Sequence, residues 1–186
     1  MLSDQDLRDI ISETRQYINL TEAVLEKDYY VTQVIHALSG TENDYFRLIF
    51  SGGTCLAKAH KIVKRMSEDI DFKIQIKNVD INFSKTFFLK KLKQFRSEIE
   101  SKLIFHRLIL NEPIIRNEGQ YLRIEINYSS VFSSKTTLRP HILLEFTFSD
   151  IRLEIKNRLI KTLAEEFLEN VVIYIQSIQF LKFVNH

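Results

Sequence analysis

The stretch that most constrains this chain is F-R-L-I-F-S-G-G-T-C-L-A-K, residues 46–58, followed closely by S-E-D-I-D-F-K-I-Q-I, residues 67–76. FRLIF is short and apolar and runs straight into Ser51-Gly52-Gly53, as a buried strand entering a glycine turn does. From Thr54 the composition favours helix, and residues 70–76 alternate in polarity like a strand with one buried face. A strand, a tight turn and a helix start aim free backbone N–H groups and a positive dipole end at whatever occupies the turn, which suits a phosphate. Thr54 adds a hydroxyl and Lys58, one turn further, a cation. Asp69 and Asp71 stand two apart on the next strand, so their carboxylates leave the same face while Ile70 and Phe72 enter the core. Like charges side by side repel, and a divalent cation is the usual reason to keep them together. Taken singly, G-G-T is commonplace and D-x-D is more often a solvated face. The compound order carries the reading.

A two-metal site requires a third carboxylate, which also takes the proton from an attacking hydroxyl. Glu145, in H-I-L-L-E-F-T-F, is a charge inside an otherwise apolar run, where an unpaired carboxylate is expensive. Glu125, in Y-L-R-I-E-I-N-Y, shares an alternating strand with Arg123 and Asn127 and fits a polar face as well. Glu145 is the preferred candidate.

Around this centre the pattern predicts helices over 3–17 and 21–38, a long helix over 84–103 with Phe87, Leu89, Leu92, Phe95 and Ile99 buried, and a helix over 158–169. Further strands are expected at 104–110, 121–128, 141–148 and 171–175. The order indicates a single α+β (α/β) domain over residues 1–186, a mixed sheet flanked by helices, with residues 1–40 as an N-terminal helical pair. Only 4 Gly and 2 Pro leave little room for flexible linkers. The single Cys55 excludes an internal disulfide framework and a Cys-rich zinc site, and it reads as a small packed side chain. The five histidines show no ligand spacing. A net charge of +2 does not demand a nucleic-acid partner, and the lysines of 85–93 with Arg96 read first as a solvated helix face. An acidic N-terminus and no apolar run near the ~20 residues of a membrane span give the cytoplasm as the expected location and no membrane partner.

E-K-D-Y-Y-V-T-Q-V-I (26–35), F-S-G-G-T-C-L-A-K-A (50–59), R-M-S-E-D-I-D-F (65–72) and R-P-H-I-L-L-E-F (139–146) together resemble the AbiEii/AbiGii-type nucleotidyltransferase toxin family, in order and spacing along most of the chain. The resemblance implies a polymerase β-type nucleotidyltransferase core, dependence on Mg²⁺ (or Mn²⁺ in its place) and a nucleoside triphosphate donor. It implies a toxin of a toxin–antitoxin or phage-defence pair, with an antitoxin protein as partner and an RNA acceptor, in some relatives the tRNA 3′ end. Carried over by residue, Gly52, Gly53 and Thr54 match the phosphate turn, Asp69 and Asp71 the paired metal ligands, and Glu145 the third. Lys58 and Arg65 fall where the family keeps basic residues within reach of phosphates. Lys27 and Asp28 match a family motif to which no chemistry is assigned, a helix-packing or ion-pair role being as good an account. The family's helical C-terminal half is largely absent: residues 178–186 read as a degraded start of it, Lys182 standing for a family lysine. Their apolar side chains are expected to pack on the domain or to drive self-association.

The function expected is therefore transfer of NMP from an NTP to an RNA hydroxyl. The alternative is a truncated, catalytically impaired remnant that still binds nucleotide or a partner. A metal-dependent phosphodiesterase fits less well, because the glycine turn suits a triphosphate donor.

Overall fold

Apolar–polar alternation in three long segments builds the centre of the sheet. In the computed structural model, which describes residues 2–63, 68–77, 84–104, 108–132, 138–149, 151 and 154–170, these are β2 (Asp69–Ile76), β5 (Tyr121–Tyr128) and β6 (His141–Phe148). With β1 (Phe46–Ser51), β3 (Leu108–Leu110) and β4 (Ile114–Arg116) they form one six-stranded mixed sheet in the order β1-β2-β6-β5-β3, β4 also pairing with β5. β2 and β6 run parallel, and the other pairs are antiparallel. The helices are α1 (Asp4–Arg15), α2 (Glu22–Leu38), α3 (Gly52–Lys58), α4 (Lys85–Leu103) and α5 (163–170).

The sheet is two-faced. Phe46, Ile70, Phe72, Ile74, Leu122, Ile124, Ile126, Ile142, Leu144 and Phe146 are buried on the core side, against α1, α2 and α4. Aromatic rings fill much of this layer: Phe46 meets Phe95 at 5.4 Å and Phe148 at 5.8 Å between centroids, and Phe72 stacks on Phe146 at 5.7 Å. Burying each such ring is worth roughly 1.5–3 kcal/mol. The opposite face alternates with it and carries Asp69, Asp71, Lys73, Glu145, Tyr121, Arg123 and Glu125.

Capping sets the helix starts. The Ser3, Thr21 and Ser84 hydroxyls accept from the N–H groups of Asp6, Val24 and Phe87 and begin α1, α2 and α4. Three expectations are corrected. Phe87 is exposed on α4, where its ring lies against Tyr45 (5.7 Å), and the buried stripe is Leu92, Phe95, Ile99 and Leu103. The helix expected over 158–169 starts only at 163, because Thr162 and Glu165 form a capping box: Thr162 N–H donates to Glu165 Oε2 (2.7 Å) and Glu165 N–H to the Thr162 hydroxyl (3.1 Å). Of the strand expected over 104–110, Leu108–Leu110 are strand, Ile104 is instead the C-cap of α4, and 105–107 lie outside the described residues. β4 was not anticipated, three residues being too few to show alternation. The strand expected at 171–175 and the tail 178–186 lie outside the described residues. Among the described residues no helix is long and apolar enough to cross a membrane.

Candidate active site

The site grows from the β1–α3 turn. Gly52 has φ +75°, and a Cβ there would stand 2.0 Å from Asp71 Oδ2, so only glycine permits both the backbone and the approach. Ser51, in register with Asp71, donates its hydroxyl to the Asp71 carbonyl (3.3 Å) and makes no side-chain cap, leaving the first-turn N–H groups uncapped by it. Gly53 and Thr54 form that first turn. Thr54 is buried, and its hydroxyl donates to the Asp69 carbonyl oxygen, which fastens α3 to the start of β2.

Across the next strand boundary Asp71 is in register with Glu145, and Asp69 with Leu143. Neighbouring strands lie about 4.8 Å apart, so the Asp71 and Glu145 side chains rise beside one another. The Asp71 carboxyl is accordingly held above its ordinary pKa, first by burial and then by the Glu145 and Asp69 charges, with Lys73 opposing. Glu125 occupies the same face one strand further on, opposite Leu143 and paired with Arg123 at 2.8 Å.

The remaining bonds of the carboxylates go to neighbours that sequence reasoning missed. The Tyr121 phenol donates to Glu145 Oε1 at 2.6 Å, and Arg139 Nη1 donates to Asp69 Oδ1 at 2.8 Å. Arg123, in register with Glu145, has a buried Nε without a hydrogen-bond partner. Tyr121 carries no local signal, because its meeting with Glu145 depends on the β5–β6 register. Arg139 stands in a quoted motif, R-P-H-I-L-L-E-F, but only the fold turns it toward Asp69.

Of the expected phosphate ligands, Lys58 is engaged internally. Its ammonium lies 2.6 Å from Asp28 Oδ1 and donates to the Lys161 carbonyl (3.2 Å), all in the interior. A buried cation so engaged serves as an internal anchor. Arg65 lies outside the described residues. The unassigned pair on α2 acquires partners. Lys27, 0% exposed, donates to Glu68 Oε2 (2.5 Å) and the Arg139 carbonyl (2.9 Å), while Asp28 also accepts from Leu163 N–H (2.8 Å). Glu26 completes the series, accepting from Val131 N–H and the Ser130 hydroxyl, both at 2.6 Å. Three consecutive buried charges thus fasten several separate segments to one helix.

An all-carboxylate donor set is the chemistry that hard cations such as Mg²⁺ require. Among the described residues no three carboxylate, thiol or imidazole side chains already converge as ligands. Asp69 is turned to Arg139 and Glu145 to Tyr121.

The chain is similar to MenT4, a nucleotidyltransferase toxin from Mycobacterium tuberculosis H37Rv, with TM-score 0.42 and 16% identity over 80% of this chain and 44% of that one. The chain thus spans less than half the length of that structure. No curated protein matches it significantly. Residues 37–180 match the family model described as nucleotidyl transferase AbiEii toxin, type IV TA system, and the chain belongs to that family of nucleotidyltransferases.

Proposed function

We propose that this chain is a Mg²⁺-dependent nucleotidyltransferase (Mn²⁺ serving in its place) that moves NMP from an NTP to an RNA hydroxyl, such as a tRNA 3′ end, breaking the α–β phosphoanhydride bond and releasing pyrophosphate. It would act as the toxin of an antitoxin-controlled pair. The observation that carries the reading is the register of Asp71 with Glu145, with the bare side of Gly52 against Asp71.

Asp69, Asp71 and Glu145 would hold the cation. When bound, it supplies charge neutralisation at the phosphates and eases deprotonation of the attacking hydroxyl. The N–H groups of the Gly53–Thr54 turn donate to donor phosphate oxygens, aided by the α3 dipole. Glu145 accepts the proton of the acceptor hydroxyl on Oε2, since Oε1 is held by Tyr121. The work is positioning and charge stabilisation on a scaffold that needs no covalent intermediate.

The test is incubation of the chain with each labelled NTP, total tRNA and Mg²⁺, beside Asp69→Asn and Asp71→Asn. Label incorporated into RNA by the parent chain and abolished in both variants supports the reading. A parent chain that binds Mn²⁺ and nucleotide but labels no RNA would refute the RNA acceptor. Incorporation that survives both substitutions would refute the site.

A further inference from the structure

Among the described residues, the cation hydrogen-bonded to the Asp69–Asp71 pair is Arg139, and its backbone is firmly held. Its backbone is held at both ends: its N–H donates to Glu68 Oε2 at 2.9 Å, and its carbonyl accepts from the buried Lys27 ammonium at 2.9 Å. Lys27 also bonds Glu68, closing a three-membered clamp. The Glu68 carboxyl lies below its ordinary pKa: burial acts to raise it, and the Lys27 and Arg139 donors and charges outweigh burial. Pro140 further restricts the Arg139 backbone. The side chain beyond that fixed point is free to turn: Arg139 is 51% and Asp69 40% exposed in their 2.8 Å pair.

An anchored backbone carrying an exposed, weakly held guanidinium describes a group made to change partners. Exposed pairs of this kind contribute little to stability, too little to keep Asp69 from a divalent cation. A guanidinium cannot lose its proton, and its planar fork fits phosphate oxygens in pairs. Once Asp69 is engaged by metal, the anion of highest charge within reach of Arg139 is the donor triphosphate.

We propose that Arg139 is a donor-binding residue of this site, pairing with Asp69 in the free protein and with the triphosphate of the NTP in the complex. The inference rests on the nucleotidyltransferase reading above and assigns to Arg139 a phosphate-clamping part, Lys58 being engaged with Asp28. Lys27 and Glu68 are positioning residues: they fix where the guanidinium starts.

Two binding measurements on the full chain test this without reference to turnover. The first is Mn²⁺ affinity in the absence of nucleotide. Arg139→Ala removes the competing guanidinium and should tighten Mn²⁺ binding about two- to fivefold. The second is affinity for inorganic triphosphate and for ATP with the metal saturating. Arg139→Ala should weaken both about tenfold or more, and Arg139→Lys by less, since the charge stays but the fork is lost. Lys27→Met should weaken triphosphate binding in the parent background but have little effect when added to Arg139→Ala. Asp69→Asn is the control: it abolishes Mn²⁺ binding if the site is as described. A parent chain that binds neither Mn²⁺ nor triphosphate would sink the site and this inference together. A parent chain that binds both, with Arg139→Ala unchanged for triphosphate or weaker for Mn²⁺, would overturn the role of Arg139 alone.

Discussion

At the scale of single residues, the site is determined by what cannot be substituted. Gly52→Ala would need both a φ of +75° at a side-chain-bearing residue and a Cβ 2.0 Å from Asp71 Oδ2. We expect a loss of about 1–3 kcal/mol from backbone strain, and transfer reduced by about 100-fold or more because the Asp71 carboxylate must move. Denaturant unfolding and a transfer assay read the two effects separately. Asp71 itself illustrates a site that costs stability. Its carboxyl is raised above the usual Asp range by burial, Glu145 and Asp69, so ionisation at neutral pH disfavours the folded state. The sign follows: stability associated with the protonated form is present at low pH and lost as pH rises through the folded pKa. Asp71→Asn should therefore raise the metal-free Tm at pH 7 by about 2 °C, and the difference should vanish in acid. A lowered Tm at pH 7 would show that the carboxylate is structural. Tyr121→Phe removes only the hydroxyl that orients Glu145, and kcat should fall about tenfold with KM for the NTP little changed. An equal rise in KM would place Tyr121 in substrate binding instead.

At the scale of elements, α2 is the frame on which the site is hung. Glu26, Lys27 and Asp28 are buried and reach, in turn, the 130–131 turn, the start of β2 with Arg139, and α3 with the 161–163 segment. Buried charges are retained only when paired, and removing one partner costs more than removing both. Lys58→Met should therefore destabilise the chain by about 3–5 kcal/mol, because Asp28 is left buried and unneutralised. The double variant Asp28→Leu with Lys58→Met should recover most of that loss in urea unfolding. If Lys58→Met kept full stability but lost triphosphate affinity, Lys58 would be a phosphate ligand after all. The α5 start offers a smaller case. Thr162→Ala deletes the capping-box hydroxyl and should cost about 1 kcal/mol.

At the scale of the whole molecule, one sheet face makes the core and the other carries the proposed site, so folding and function should be separable by face. On the proposed function, metal and nucleotide bind the folded face alone, and Mg²⁺ with ATP should raise Tm with concentration as mass action requires. Asp69→Asn should cancel that rise while leaving the bare Tm nearly unchanged. The sequence by itself determined the elements that repeat their pattern over many residues. β5 and β6 fall on 121–128 and 141–148 as alternation predicts, and the Gly52-Gly53 turn and Asp69–Asp71 pair are legible because both depend on neighbours within a few residues. It also determined that Glu145 is a charge in an apolar run that has to find partners. Which partners it finds was decided by tertiary structure. The parallel pairing of β2 with β6 sets Asp71 against Glu145 across 74 positions of register, and the β5–β6 ladder brings in Tyr121. Lys58 is the reverse example: its spacing from the turn suits a phosphate, but α2 lies behind α3 and offers Asp28 at 2.6 Å. A local pattern specifies direction along one element. The choice of partner for a charge depends on which other element packs there and on the high cost of leaving that charge buried and alone.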